Sequence, residues 1–536
     1  MPGLTQQQWQ QKIVAPLFGL PMRGKAHTAR NLKRFIQFFH GARAEIFDLT
    51  DYPGPDGDTR LCEDLCKFFH ASEEDSQYDI YDFAASGRIY GGFAIILAGD
   101  SVESTRSMWS AHTKWHRRWM SRTCQEKLGA ETCFIQISVD DEFGEQYIAD
   151  LCRFRGVPLE QSKALMTEYR DRMENIQEDS EGDTPYIHLI NYNQMMVVNK
   201  MMQGFVGSEV CHFLANLHPY AHTHYLSRHG ESIFNVEKRL GGDSGLSKRG
   251  EEYARRLAEF VKYVQCGRAD SIVCVTLTQE ELRRLNERVS ETPQGLVASG
   301  SWDGFGDASG AVVEPGMRLL RMQAGYGADF QDAPHTVQEV ARVAGSLYPT
   351  LVFVQGDASE PGMVPGRLWT SSLKRTIETA RFIERNVVAG KDGKPWRQMV
   401  GKPLRSIDEV YAGEFDGLTE EDIKKIAPEV IAARSTDKLG FRYPRGESYY
   451  DVLARLSGAM VDLERVREPI LLVSHQAVLR LIIAWMTKRS REEAIKMSVP
   501  QHEVIRISYD GLGGPRVMKT FPLGPRRLLD DGQSNL

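Results

Sequence analysis

Apolar and polar positions alternate along the first third of the chain in two rhythms. Short unbroken apolar runs, such as Gly92–Leu97, have the length and β-branched content of a buried strand, and the segment from Arg30 to His40 has the three-and-four spacing of an amphipathic helix. Repeated from Lys12 to about Tyr192, this alternation predicts an α/β domain. A longer apolar-periodic segment, Met195 to Leu217, predicts a connecting helix. A second α/β unit follows. Its expected elements are a strand running into Arg228 and His229, a helix from Leu246 to Val264, a strand through Arg367–Ser371, a helix carrying Arg375 and Thr376, and a strand from Ile470 to His475.

That second unit is interrupted. From about Ser271 to Pro365 the pattern reads as a partly ordered insertion with one helix signal, Thr278 and Glu281 spaced as a capping box ahead of Leu282. It also contains a turn-rich segment from Gln294 to Gly316. The unit ends near Phe521 and a polar tail follows. The domain plan is therefore 1–220, 221–523 with the insertion at about 271–365, and a tail at 524–536.

Composition narrows the function classes. A chain of 536 residues, 41% apolar and 26% charged, can build several cores, and a net charge of -6 leaves no global basic field for nucleic acid. Any anionic ligand must then be held by a local cluster, so the expected partner is a small molecule. The eight cysteines, Cys62, Cys66, Cys124, Cys133, Cys152, Cys211, Cys266 and Cys274, lack paired metal-ligand spacing and read as reduced, buried thiols of an intracellular protein. No apolar run reaches membrane-spanning length, and Gln6 to Lys12 lacks the layout of a signal peptide. A cytoplasmic location is expected. Ser534-Asn535-Leu536 leaves a peroxisome-like organelle as the alternative.

The candidate chemistry starts at Arg228-His229-Gly230-Glu231-Ser232. There an arginine and a histidine sit where a strand ends in a glycine turn, which suits a phosphoryl-accepting histidine. A phosphohistidine route needs a nucleophile, cations around the transferring group and an acid for the leaving oxygen. His229 can attack phosphorus beside Arg228, with Asn235 a turn further on. Arg375 can reach back over the strand edge from its helix, and His475 closes a third strand. Three strands thus end in polar residues at one rim of a sheet, where open α/β folds bind ligands. For the acid, Asp408, Glu409 and Glu414 are equally eligible by position.

With Gly241-Gly242-Asp243-Ser244-Gly245-Leu246-Ser247, Thr370-Ser371 through Lys374-Arg375-Thr376, Arg442-Tyr443-Pro444 with Gly446-Glu447-Ser448-Tyr449, and Ser474-His475-Gln476-Ala477-Val478 with Arg480, these pieces resemble the histidine phosphatase (phosphoglycerate mutase-like) superfamily. More narrowly, they resemble the bisphosphatase half of the 6-phosphofructo-2-kinase/fructose-2,6-bisphosphatase family. The resemblance implies Glu409 as the acid and no metal for the phosphatase. It implies a pocket for a second phosphate built from Arg434, Lys438, Tyr449, Gln476 and Arg480, with Gly241 also on the substrate side. Glu420 stands where the family has a tyrosine, so weaker substrate binding is expected unless that carboxylate turns outward or pairs with Lys424.

The first half resembles the kinase half of the same family. Phe18-Gly19 to Gly24-Lys25 follows an apolar strand as a Walker A loop does, and Asp100 matches the family's catalytic aspartate. Pieces are missing. Ala26 occupies the position of the hydroxyl residue that holds Mg²⁺, Thr28 lies on another helix face, and Pro16 is expected to break strand pairing just before the loop. Asp51-Tyr52-Pro53-Gly54 stands where the family's sugar-phosphate arginines follow a Glu-Tyr pair, and by a weaker alignment Ile148, Arg153 and Met195 replace an asparagine, a lysine and an arginine.

The expected fold class is α/β, an N-terminal P-loop kinase-like domain followed by a histidine phosphatase domain with an insertion. The expected function is fructose-2,6-bisphosphate 2-phosphatase, with an inactive kinase domain in which Gly19, Gly24, Lys25 and Asp100 are vestigial nucleotide contacts. ATP is a candidate regulator at that domain and a homodimer a candidate assembly. The competing readings are a bifunctional enzyme, another phosphatase or mutase of the superfamily, and a non-catalytic sensor or scaffold.

Overall fold

The computed structural model describes residues 11–70, 92–192, 194–200, 205–265, 272–276, 317–323, 331–332, 350–355, 365–390, 393–512, 514 and 516–523. Contacts divide the chain into two compact units, Met1–Ala221 with Met460–Arg465 and Asp510–Gly514, and His222–Ala459 with Val466–Tyr509 and Pro515–Leu536.

The first unit is built on seven strands: β1 (Lys12–Gly19), β2 (Ala44–Asp48), β3 (Gly92–Leu97), β4 (Glu131–Thr132), β5 (Phe134–Ser138), β6 (Tyr186–Ile190) and β7 (Met195–Asn199). They run in the order β2-β3-β1-β5-β6-β7 with β4 beside β1, all parallel except the β6–β7 pair. Continuous apolar runs are what a parallel sheet covered on both faces requires. Val14, Phe18, Ala94, Ile96 and Phe134 pack with Leu61, Leu65, Trp109 and Met120 in one core. At its edge the buried pair Arg117–Glu181 makes two hydrogen bonds of 2.7 Å, and Arg117 also donates to the Ala111 and Glu174 carbonyls.

Two expectations are corrected here. Met195–Leu217 is not one helix: Met195–Asn199 is a strand antiparallel to β6, and the helix covers Phe205–Asn216. Asn191 and Tyr192, both at positive φ, turn the chain back sharply, and Met-Met-Val-Val is too short an apolar run for periodicity to separate strand from helix. Pro16 does not interrupt β1, which pairs with β3 through Pro16 opposite Ile96. Leu17 offers its carbonyl to Ala98 on the β3 side, whereas Val14 offers its carbonyl to Cys133 on the other side. By strand alternation the proline nitrogen lies on Val14's side, where pairing passes from β4 to β5 and the missing donor falls at a break in the ladder.

The second unit has a six-stranded sheet: β8 (His222–Arg228), β13 (Arg367–Ser371), β16 (Gly401–Leu404), β17 (Ile470–Ser474), β18 (Glu503–Tyr509) and β19 (Val517–Pro522). The order is β16-β13-β17-β8-β18-β19, parallel from β16 to β8 and antiparallel beyond. Three adjacent parallel strands, β13, β17 and β8, therefore end at the same rim. Helices Lys248–Gln265, Lys374–Thr379 and Gln476–Met486 belong to this unit, as does the helix Tyr449–Arg465 up to Ala459; ten residues of Gln476–Met486 are buried.

Within the insertion the described residues are strands: β9 (Ile272–Thr276), β10 (Met317–Gln323), β11 (Gln331–Asp332) and β12 (Thr350–Gln355), an antiparallel sheet in the order β11-β10-β12-β9. The runs IVCVT and TLVFVQ carried this signal unread. The capping box at Thr278, the segment 294–316, Cys266 and the tail 524–536 lie outside the described residues. β14 (Val387–Ala389) and β15 (Pro395–Arg397) form a small separate hairpin. Of the cysteines, Cys124, Cys133, Cys152 and Cys211 are buried free thiols, but Cys62 and Cys66 are only half-buried. Among the described residues no helix is long and apolar enough to cross a membrane.

Candidate active site

The site is assembled by the chain turns that follow β8, β17 and β13. β8 delivers Arg228 opposite Ser474, and the His229 amide donates to the Ser474 carbonyl at 3.0 Å, which fixes the turn to the neighbouring strand. Gly230 is required by close approach: a Cβ there would lie 2.5 Å from the Gly250 carbonyl oxygen. Its N–H donates to Thr379 Oγ1 at 2.9 Å. His229 itself is 3% exposed, and its Nδ1 lies 2.7 Å from the Gly230 carbonyl oxygen. A carbonyl only accepts, so Nδ1 carries the proton and Nε2 keeps a lone pair. Burial, with Arg375 and Arg228 adding to it, holds this imidazole far below its usual pKa and therefore neutral.

Around His229 stand the expected cations. Arg228 donates to the Val499 carbonyl at 2.8 Å, its buried Nε has no partner among the described residues, and burial lowers its pKa to about 10. Arg375 is 3% exposed and donates to the Gly242 carbonyl from Nη1, which ties it to the Gly241-Gly242 turn. His475 is fully buried, its ring centroid 5.1 Å from that of His229. Asn235 closes a capping box with Ser232, and its Oδ1 accepts from Ser232 N, Ser232 Oγ and Gln501 Nε2 at 3.0 Å each. With its oxygen so occupied, the amide NH₂ is what Asn235 can offer an anion.

The three carboxylates that sequence left open separate clearly. Asp408 accepts from Ser371 Oγ, Ser372 N and Ser372 Oγ at 2.8, 2.7 and 2.6 Å. Glu414 faces outward in an ion pair with Arg445 at 3.0 Å, half-exposed. Glu409 acts electrostatically on both Arg228 and Arg375 and accepts from the Val410 amide at 3.0 Å. Arg455 went unseen in the sequence. It pairs with Glu447 and donates to the carbonyls of Ser406, Asp408 and Glu409 at 2.8, 2.8 and 3.2 Å, holding the loop that carries Glu409. Gln501 and Asp416 were also missed; Asp416 accepts from the Gly242 amide at 2.9 Å and fills the space beside Gly241, whose φ is +56°. No local pattern marks these three, because each acts across a long sequence gap.

The second cationic cluster is present. Arg480, 1% exposed, donates from Nη1 to Tyr449 Oη and the Ile495 carbonyl, both at 3.0 Å, while its buried Nε and Nη2 have no partner among the described residues. Burial, then Arg480 and Arg434, push the Lys438 ammonium down to about 8. Repulsion of this kind is relieved when an anion arrives. Gln476 opens the helix whose N-cap is His475. Glu420 pairs with Lys424 at 2.7 Å, the arrangement that keeps its charge compensated.

In the first unit the glycine loop ends at Gly24 (φ +82°), and Gly19 passes so close to β5 that a Cβ would lie 2.3 Å from the Ile137 oxygen. Lys25 is 3% exposed and occupied by its own loop: Nζ donates to the Gly19 and Leu20 carbonyls at 2.9 and 3.0 Å and pairs with Asp100 at 3.1 Å. Asp100 also pairs with Arg155 at 3.2 Å. Arg23 is buried against Asp141, with Nε and Nη1 unpartnered among the described residues. Ile148 packs in a small core, Arg153 pairs with Asp150 at the surface, Met195 is exposed, and Thr28 is buried. This donor set can meet an anion through Arg23 and Lys25, but it lacks the hydroxyl that would hold Mg²⁺.

The sequence pattern of the histidine phosphatase superfamily (branch 1) matches residues 224–277 and 360–520. The chain is 26% identical over 528 residues to a fructose-2,6-bisphosphatase of Saccharomyces cerevisiae, covering 92% of this chain and 86% of the relative. It is 24% identical over 511 residues to a 6-phosphofructo-2-kinase/fructose-2,6-bisphosphatase of Gallus gallus, covering 92% and 81%. An Arabidopsis thaliana protein of the latter name is 26% identical over 506 residues, and there the match spans 51% of the relative.

Proposed function

We propose that this chain, which carries a histidine phosphatase superfamily domain and resembles the 6-phosphofructo-2-kinase/fructose-2,6-bisphosphatase family over 92% of its length, hydrolyses fructose 2,6-bisphosphate to fructose 6-phosphate and phosphate. The observation that carries the reading is the coexistence of two anion sites in one unit. One is a neutral, buried His229 between Arg228 and Arg375, and the other is the Arg434–Lys438–Arg480 cluster. A monophosphate needs one such site; a bisphosphate held by its non-reacting phosphate needs both.

In this mechanism His229 Nε2 displaces the 2-phosphoryl group in line. Arg228, Arg375, Asn235 and His475 hold the equatorial oxygens, and Glu409 protonates the departing sugar oxygen. Water then attacks the phosphohistidine with Glu409 as base. The guanidinium groups supply the positive charge at the transferring phosphoryl. Turnover measured across fructose 2,6-bisphosphate, other sugar phosphates and phosphoglycerates tests the assignment; equal rates on all of them would refute it.

For the first unit we infer a kinase-like fold without kinase turnover. Support comes from Ala26, from the self-occupied Lys25, and from Asp51–Gly54 in place of arginines. A coupled assay with ATP, Mg²⁺ and fructose 6-phosphate should give no activity above background, and sustained turnover would make the protein bifunctional.

A further inference from the structure

The two buried histidines are held by different nitrogens. His229 is anchored through Nδ1, by the Gly230 carbonyl. His475 is anchored through Nε2, 2.7 Å from Ser371 Oγ, while its own Nδ1 is buried and has no partner among the described residues. Ser371 Oγ has three neighbours: it lies 2.8 Å from Asp408 Oδ1 and 3.0 Å from the Leu373 amide, besides His475. A hydroxyl has one proton to give. The Leu373 N–H can only donate to it and the Asp408 carboxylate can only accept from it, so the serine proton goes to Asp408. Ser371 must then accept from His475, and the proton on that ring sits on Nε2.

We propose that Asp408, acting through Ser371, is a positioning residue that fixes His475 with Nε2–H toward the serine and Nδ1 toward the reacting phosphoryl group, and that stabilises its imidazolium form in the substrate complex. The inference rests on the phosphatase reading. In the free protein burial opposes charging His475, and so do the neighbouring groups among the described residues: Arg375 from the helix Lys374–Thr379, His229 and Arg228 at the end of β8, and Arg455 from the helix Tyr449–Arg465. The resting ring is therefore neutral, and a neutral Nδ1 presents a lone pair to phosphoryl oxygens. A phosphoryl monoanion resolves this by handing its proton to Nδ1. The O–H bond breaks, an N–H bond forms, and the resulting dianion accepts a hydrogen bond from the new imidazolium with no change in total charge. Asp408 compensates that imidazolium from the far side, through Ser371. His229 is anchored instead by the Gly230 carbonyl, with no carboxylate relay among the described residues, and stays neutral, as a nucleophile must. The Asp408 carboxylate is itself held by Ser372, and Arg375 lies within its electrostatic reach.

The sign follows from the proton shared between His475 and the phosphoryl group. Rate is lost as pH rises and that proton leaves, so removing the Asp408 charge moves the loss to lower pH. In the full chain, Asp408→Asn should shift the alkaline limb of kcat downward by about one pH unit, the order of effect of one nearby charge. Ser371→Ala, which leaves Asp408 bound to Ser372, should shift it the same way, and Ser372→Ala should not. A rate lowered equally at every pH in the first two variants would overturn the relay, since a merely structural role lowers rate without moving the limb. The relay can also be read without turnover, by nitrogen NMR of His475 in the full chain with saturating inorganic phosphate. Proton signal on both nitrogens with phosphate, and on Nε2 alone without it, is expected. An Nδ1–H form without phosphate would refute the proposal even if the phosphatase reading stands, and the expected spectra would uphold the relay even if fructose 2,6-bisphosphate is not the substrate.

Discussion

Replacing Arg480 with methionine separates holding a substrate from transforming it. In the free protein this guanidinium is 1% exposed, with Nε and Nη2 unpartnered among the described residues and with Lys438 and Arg434 as like-charged neighbours. A bound phosphate can take both free donors. At roughly 1.5–3 kcal/mol for each charged hydrogen bond, two such bonds amount to at least about 3 kcal/mol of binding. At about 1.4 kcal/mol per decade, KM for fructose 2,6-bisphosphate should rise about a hundredfold, with kcat changed by less than about threefold. Stability changes by opposing terms: the variant loses the bonds to Tyr449 Oη and the Ile495 carbonyl, roughly 1.5–3 kcal/mol each, and is relieved of a buried cation beside Lys438 and Arg434. The assay is steady-state hydrolysis of fructose 2,6-bisphosphate beside para-nitrophenyl phosphate, which has no second phosphate. A selective rise in KM for the bisphosphate supports the two-site reading; an equal loss on both substrates would refute it.

Other outcomes follow from the same geometry. Burial and its cationic neighbours push Lys438 down to about 8 in the free protein, so KM should climb above about pH 8, and Lys438→Met should abolish that rise and give a high KM throughout while leaving the alkaline limb of kcat where it is. Because its folded pKa lies below the usual lysine value, the unfolded chain binds more protons between about 8 and 10.5, and this residue's contribution to stability rises across that window, as urea titrations at several pH values can show. Arg455→Met should lower kcat about tenfold with little change in KM, since it frees the Glu409 loop while leaving the Arg434–Lys438–Arg480 cluster in place. Ala26→Ser alone should not create 6-phosphofructo-2-kinase turnover in the coupled assay, because Lys25 stays bound to Asp100 and the sugar-side arginines are still absent.

Much of the architecture was legible because fully buried parallel strands are written as unbroken apolar runs. β3 and β17 are read off Gly92–Leu97 and Ile470–Ser474. β7 was not, because four apolar residues satisfy either period and only the turn at Asn191 and Tyr192 decides. Pro16 misled because its missing donor matters on one side of the strand alone, and which side depends on where β4 gives way to β5. In the site, His229, Arg375 and His475 were legible because each closes or follows a strand. The choice among Asp408, Glu409 and Glu414 was not legible from spacing. It depends on Ser371, Ser372 and Arg445, which engage Asp408 and Glu414 and leave Glu409 as the carboxylate of the three without such a partner among the described side chains. Arg455 acts on backbone carbonyls nearly fifty residues away and leaves no trace in its own neighbourhood.

The most direct measurement of the central claim is transfer of label from fructose 2,6-bisphosphate radiolabelled at the 2-phosphate. After rapid quenching, acid-labile and base-stable label should be found on the full chain and should disappear in His229→Ala. In Glu409→Gln both the appearance and the loss of label should slow, because the same carboxyl serves as acid in the first step and base in the second. Label retained in His229→Ala, or hydrolysis by the wild type with no labelled intermediate even at the shortest quench times, would contradict the assignment of His229 as the phosphoryl acceptor.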